Sequence, residues 1–113
     1  MKKVISSPLA PAAIGPYSQA TEAAGLVFVS GQLPIDTATG DMPEGIEAQA
    51  RQSLLNIQHI LEAAGLTMSH IVKTTVYLQD MSLFGSMNAV YATFFEGDYP
   101  ARAAFAVRSE ERR

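Results

Sequence analysis

Two polar side chains stand in stretches of this sequence that are otherwise small or apolar. Arg102 follows a Pro-Ala pair and opens an apolar segment, and Asn88 interrupts an apolar helical pattern. A guanidinium in such a place is either a surface group that buries its stem or a planar fork that binds a carboxylate. A buried amide needs hydrogen-bond partners, so Asn88 either ties a core together or faces a polar cleft. The residue types leave both alternatives open.

Three further residues stand at the ends of predicted strands. Tyr17 follows Gly-Pro and either donates a hydrogen bond into a cleft or covers the edge of the core. Gly31 either allows a ligand to approach closely or forms a plain turn. Ser30 lacks both the Gly-x-Ser-x-Gly context and a nearby base. We therefore predict that Ser30 is not a nucleophile.

Composition and charge exclude several classes of function. The sequence has no cysteine, so it forms neither disulfides nor thiolate metal sites, and His59 and His70 lack carboxylates at ligand spacing. We predict no metal. A net charge of −3 and scattered basic residues disfavour nucleic acid. The apolar run at residues 23–29 is too short to cross a bilayer, and prolines after the basic start argue against a signal peptide. We expect a cytoplasmic protein without nucleic-acid or membrane partners.

Five segments have the composition of β-strands. They lie near Val4, from about Tyr17 onward, at residues 26–29, at 71–80 and at 102–107. The third is apolar on both faces and must be covered on both sides. The fourth alternates, with one apolar face formed by Val72, Thr74, Val76 and Leu78.

Two segments have the periodicity of amphipathic helices. Asp41 and Glu44 predict a helix start, and Gly65 predicts a left-handed C-terminal cap. The apolar stripe between them is Ile46, Ala50, Leu54, Ile57, Leu61 and Ala64. Ser82 predicts the cap of a second helix that ends near Gly97. Its stripe is Phe84, Met87, Asn88, Tyr91, Phe94 and Phe95.

The predicted element order, β-β-β-α-β-α-β, indicates a single α+β domain over residues 1–113. Two helices can cover only one face of the sheet, so the other face needs a partner. Charged residues make up 17% of the chain, below the ~25% typical of soluble domains. We therefore expect part of the surface to be reserved for contact with further copies of the chain.

Several motifs in order resemble the RidA (YjgF) family, and the match runs from residue 3 to residue 107. They occupy residues 13–19, 29–34, 49–54, 71–76 and 99–102. The resemblance implies a chorismate-mutase-like α+β fold with a mixed sheet, assembled as a homotrimer with a central barrel and active clefts between subunits. It further implies hydrolysis of 2-imino acids, such as 2-iminobutanoate and 2-iminopropanoate, to 2-keto acids and ammonia without a cofactor.

Site residues are carried over position by position. Arg102 matches the family arginine that binds the substrate carboxylate, and we assign it the catalytic role. The positions matching the lining of the cleft are Tyr17, Ser30, Gly31 and Asn88. Ala104 stands where many members have cysteine, so we expect any polar contact there to come from the backbone.

The sequence departs from the family after Val107. The family continues into a further strand of the sheet, which brings a glutamate that activates water. This sequence instead has residues 108–113, in which Glu110 and Glu111 are the only acidic residues after Arg102. The alternative function is therefore a catalytically weak protein that binds small carboxylates, or a regulatory or chaperone-like oligomer.

Overall fold

The computed structural model describes residues 1–108 and contains five strands and two α-helices. The elements in chain order are β1 (Lys3–Ile5), β2 (Ala20–Ala23), β3 (Leu26–Val29), α1 (Ile46–Ala63), β4 (Lys73–Leu78), α2 (Phe84–Ala92) and β5 (Ala101–Ala106). Short 3₁₀ helices at Met68–His70 and Met81–Leu83 precede β4 and α2. The predicted order and the α+β class are confirmed.

The strands form two sheets instead of the single mixed sheet that we expected. β1, β2 and β3 are antiparallel in that order, and β4 and β5 form a parallel pair whose crossover contains α2. Among residues 1–108, β3 and β4 do not pair. Val29 of β3 packs against both hydrophobic clusters of the core, so the two sheets are joined through side chains rather than through backbone hydrogen bonds.

The second strand begins later than the sequence predicted. β2 starts at Ala20, because the chain around Tyr17 is irregular: Gly15 has a φ of 120°, and the Tyr17 amide donates to the Gly15 carbonyl at 2.9 Å. β2 then turns into β3 through Ala24 and Gly25, which both have positive φ, as a tight hairpin requires.

The C-terminus of α1 is as predicted, but its N-terminus is not. The Gly65 and Leu66 amides donate to the carbonyls of Glu62 and Leu61 at 3.0 and 2.8 Å, and Gly65 has a φ of 77°. The helix begins at Ile46, without a side-chain cap. Asp41 does not cap it, because the residue at the N-cap position is Gly45, four residues further on, and Asp41 belongs to the preceding turn, where its carbonyl accepts from the Asp36 amide at 2.9 Å.

Asp80, and not Ser82, caps the helical segment that leads into α2. Its carboxylate accepts a hydrogen bond from the Ser82 amide at 2.8 Å, and this bond holds the pKa of Asp80 below its usual value. The α-helix ends at Ala92, before the predicted Gly97. The Thr93 hydroxyl donates to the Val90 carbonyl at 2.6 Å just beyond this end.

The core lies between the helices and one face of each sheet. Thr74, Val76 and Leu78 turn inward as predicted, whereas Val72 precedes β4 and is exposed. Within α1, Asn56 and Ile60 are fully buried although neither belongs to the predicted stripe. They extend the buried face, because α1 packs on both sheets and not on one.

The sheet faces directed away from the helices carry large exposed hydrophobic side chains. These are Val4, Leu26, Phe28, Tyr77 and Phe105, each more than half exposed. The Tyr77 and Phe105 rings stack with centroids 6.4 Å apart. Both faces of β3 were expected to be covered, but one chain covers only the inner face. No helix within residues 1–108 has the length and apolar character needed to cross a membrane.

Substituting Ile60 tests the extended buried face of α1. We expect Ile60→Ala to lower the free energy of unfolding by about 2–5 kcal/mol, because the side chain is fully buried and leaves a cavity. Urea denaturation provides the measurement. Ile14→Ala is the matched control, since Ile14 is 85% exposed. Equal effects of the two substitutions would contradict the burial of Ile60 in the core.

Candidate functional site

Arg102 lies on the inner face of β5 and is held by one face of α2. Its guanidinium carbon is 5.1 Å from the centroid of the Phe84 ring and 4.8 Å from that of Tyr91. Its Nη1 donates to Asn88 Oδ1 at 2.6 Å. Positions 84, 88 and 91 are spaced by four and three residues, so they share one helix face. The guanidinium is therefore oriented by two rings and an amide.

None of the contacts that Arg102 makes within residues 1–108 is with a carboxylate. An aromatic face and a neutral amide attract the cation without cancelling its charge. The side chain is also exposed. Arg102 can therefore bind an external carboxylate through charge-assisted hydrogen bonds, without first breaking an internal ion pair.

The aromatic platform beneath Arg102 is itself fixed. The Tyr91 ring is buried and packs at 4.9 Å from Phe95, and its hydroxyl is 2.7 Å from the Thr74 hydroxyl. Thr74 is the register partner of Arg102 in the parallel sheet. The sequence prediction placed Phe84 and Tyr91 in the core stripe and missed this contact with the guanidinium. Their spacing relative to Asn88 was the available signal.

Tyr17 and Ser30 line a surface cavity of about 680 Å³ on the first sheet. The cavity also reaches Thr21 and Phe28, which are paired across β2 and β3. The Tyr17 hydroxyl oxygen accepts a long hydrogen bond from the Ile14 amide, at 3.4 Å. Its proton therefore remains available for donation into the cavity.

The Ser30 hydroxyl has a structural partner. It donates to the Ser18 carbonyl at 2.6 Å, and the Ser30 amide donates to the Gln19 carbonyl at 2.9 Å. The hydroxyl proton is thus engaged within the chain, and only the oxygen lone pairs remain for a ligand. Ser30 therefore joins the end of β3 to the segment that carries Tyr17.

Gly31 and Ala104 offer space instead of polar groups. Gly31 does not have a positive φ, and a Cβ built on it would meet nothing within 4 Å. The chain's own conformation thus does not require glycine at this position. Ala104 lies on the same face of β5 as Arg102, opposite Val76, and is half-buried.

The predicted site residues fall into two groups within one chain. Arg102 and Asn88 are in contact, and Ala104 follows on the same strand face. Tyr17 and Ser30 share the cavity, and Gly31 is the next residue in the chain. None of the second group is among the contacts of Arg102. Glu110 and Glu111 lie outside the described residues.

Both histidine rings form a hydrogen bond with a backbone group. His59 Nδ1 is 3.1 Å from the Leu9 carbonyl oxygen, and His70 Nδ1 accepts from the Thr67 amide at 3.0 Å. In the part of the chain that the structure describes, no three His, Asp or Glu side chains are grouped closely enough to hold a metal ion.

Comparison with known proteins gives a consistent result. Residues 7–111 match a family described as endoribonuclease L-PSP. A Mus musculus protein named 2-iminobutanoate/2-iminopropanoate deaminase is 48% identical over 108 residues, which are 95% of this chain and 80% of the relative.

Solved structures agree closely with this fold. A Rid-family protein of unknown function, YyfA from Yersinia pestis, has a TM-score of 0.94 at 43% identity, over 99% of this chain and 90% of its own. Escherichia coli TdcF with bound serine has a TM-score of 0.89 at 42% identity, over 93% and 85% of the two chains. The chain therefore belongs to the endoribonuclease L-PSP family, the family of RidA and YjgF.

Proposed function

We propose that this chain hydrolyses small 2-imino acids, such as 2-iminobutanoate and 2-iminopropanoate, to 2-keto acids and ammonia. The observation that carries the proposal is Arg102, an exposed guanidinium oriented by Asn88, Phe84 and Tyr91, none of which neutralises its charge. The relatives named deaminases, at 46–48% identity, support the same reaction. The carboxylate is the feature that every 2-imino and 2-keto acid offers to such a fork.

The reaction needs a positioned water and no other co-reactant. Water adds to the carbon of the C=N bond and one of its protons passes to the nitrogen, which gives a tetrahedral carbon that carries a hydroxyl and an amino group. The hydroxyl proton then passes to the amino nitrogen, and the C–N bond breaks to release ammonia as the C=O bond forms. No electrons are transferred, so no redox cofactor takes part. Arg102 binds the carboxylate and thereby fixes the adjacent imine carbon, which is the contribution that orientation makes to rate. Tyr17 supplies a hydroxyl donor for the polar end of the substrate.

The complete site is formed between subunits of a homotrimer. Tyr17 and Ser30 line a cavity on the first sheet, whereas Arg102 faces α2 beneath the second sheet. Within residues 1–108 of one chain, Arg102 contacts neither Tyr17 nor Ser30, and a neighbouring copy would bring the two groups together. The exposed apolar residues on the outer sheet faces, Tyr77 and Phe105 among them, provide the contact surface.

A second candidate is a protein that binds small carboxylates but hydrolyses imines slowly. It is favoured by one observation: in residues 1–108, Arg102 has no carboxylate beside it that could serve as a general base. Nuclease activity, which the family description suggests, is disfavoured by the net charge of −3. The proposed location is the cytoplasm, which suits a chain without cysteine.

Replacing Arg102 tests carboxylate binding directly. We expect Arg102→Ala to weaken binding of 2-ketobutyrate by at least about 10-fold, because a hydrogen bond to a charged group contributes about 1.5–3 kcal/mol and about 1.4 kcal/mol is tenfold. Isothermal titration calorimetry measures the affinity. Arg51→Ala on the exposed side of α1 is the matched control. Unchanged affinity in the Arg102 variant would show that this residue is only a surface cation.

Imine hydrolysis is tested by competition with semicarbazide during turnover of a threonine dehydratase. We expect the wild-type chain to reduce the yield of semicarbazone, because hydrolysis removes the imine first, and Arg102→Ala to restore that yield. The rate of semicarbazone formation is followed by absorbance. A wild-type chain that binds 2-ketobutyrate but leaves this rate unchanged would contradict the deaminase and support the carboxylate-binding protein.

A charge placed on the outer sheet face tests the trimer. We expect the wild-type chain to scatter light as three copies of 12.1 kDa, and Tyr77→Asp to give a smaller species, because it puts a carboxylate into an apolar contact. Glu62→Lys, at an exposed position of α1, is the control that also changes a charge. A wild-type monomer at micromolar concentration would contradict the shared site.

A further inference from the structure

Gln19 is a buried amide whose hydrogen bonds all reach back to the segment that precedes Tyr17. The residue is 6% exposed. Its Oε1 accepts from the Ser7 amide at 2.6 Å, and its Nε2 lies 3.2, 3.3 and 2.7 Å from the carbonyl oxygens of Ser7, Ala10 and Pro11. One side chain thus contacts four backbone groups that lie eight to twelve residues away.

The segment between β1 and β2 has few other means of holding its shape. Residues 7–16 contain three prolines, which have no amide proton to donate, and they form no helix or strand. The backbone hydrogen bonds within this stretch are local, such as that from the Ala10 amide to the Ser7 carbonyl at 3.4 Å. His59 of α1 adds one contact, to the Leu9 carbonyl. Gln19 is therefore the main polar anchor of the segment.

Tyr17 lies between this anchor and a second one. On its C-terminal side, the Ser30 hydroxyl donates to the Ser18 carbonyl at 2.6 Å. On its N-terminal side, Gln19 holds the chain at Ser7, Ala10 and Pro11. The Tyr17 side chain is itself 52% exposed, and the hydrogen bond that it accepts from the Ile14 amide is long, at 3.4 Å, so its own contacts fix it only in part. Its position over the cavity also depends on the backbone that carries it.

We propose that Gln19 is a positioning residue, which acts on the reaction only through the placement of Tyr17. The inference rests on the proposed function, because it gives Tyr17 a role toward the substrate. Gln19 does not line the cavity that Tyr17 and Ser30 share. It holds the segment through its Nε2 donors and its Oε1 acceptor, and a displacement of Tyr17 would misplace the hydroxyl that faces the substrate.

The test is a double-mutant cycle between Gln19→Met and Tyr17→Phe. We expect Gln19→Met to lower kcat/KM for 2-iminobutanoate by up to about 100-fold, the loss that a misplacement of about 1 Å can produce. In the Tyr17→Phe background, the same change should cause no further loss, since the group that Gln19 positions is already absent. Gln49→Met is the matched control, because Gln49 also donates to a proline carbonyl, that of Pro43 at 2.9 Å.

Hydrogen exchange gives a second readout that does not depend on activity. We expect the Ile14 and Tyr17 amides to exchange faster in Gln19→Met than in Gln49→Met, because their segment opens locally. A wild-type chain without deaminase activity would contradict the proposed function. The exchange rates of the two variants would still decide whether Gln19 holds the segment before Tyr17. Equal exchange in the two variants, or additive losses of kcat/KM in an active enzyme, would overturn the inference.

A conservative variant covers the case in which Gln19→Met does not fold. Gln19→Glu keeps the acceptor for the Ser7 amide and removes the donors toward the carbonyls. We expect the same loss of kcat/KM at neutral pH. Activity relative to wild type should recover as the pH falls, because a protonated carboxyl group donates one hydrogen bond again. A relative activity that stays constant with pH would contradict a role for the donors.

Discussion

Side-chain amides fix the irregular segments of this protein, which lack the backbone hydrogen bonds of strands and helices. Gln19 donates hydrogen bonds to backbone carbonyls of the proline-rich segment before Tyr17. The fully buried Asn56 donates to the Leu33 and Ile35 carbonyls at 3.1 Å each. An irregular segment at a protein surface exposes carbonyls that have no strand or helix partner, and a buried carbonyl without a partner costs about 1–3 kcal/mol. Each amide satisfies several such carbonyls at once, so both irregular segments take defined shapes without pairing in a strand or helix.

A third amide, that of Asn88, serves the site differently. It accepts from Arg102, while Phe84 and Tyr91 attract the same guanidinium through their ring faces. A carboxylate in place of Asn88 would orient the cation equally well, but it would compete with any acidic ligand. Holding a charged group with neutral partners fixes its geometry and leaves its electrostatic attraction for the substrate. The chemistry proposed for Arg102 depends on this choice of partners.

The uncovered faces of the two sheets follow from the same architecture. Two helices cover the inner faces, so Phe28 and the stacked pair of Tyr77 and Phe105 are left exposed. Alanines dominate the rest of β5, and their small side chains let another surface approach the strand closely. Under the proposed assembly, the face that one chain cannot bury is where a second chain contributes to the site. Under that assembly, completion of the site depends on this apolar surface.

The sequence by itself determined the order of the elements, the cap at Gly65 and the inward face of β4. These features depend on neighbours within a few residues, and periodicity reports such neighbours directly. The residue types singled out Arg102 and Asn88 but left two roles open for each; family resemblance assigned both to the site, and the structure brings them into contact. Only the tertiary structure decided the separation into two sheets, the burial of Asn56 and the four hydrogen bonds of Gln19. Their partners lie eight or more residues away, where local pattern carries no information on which groups meet.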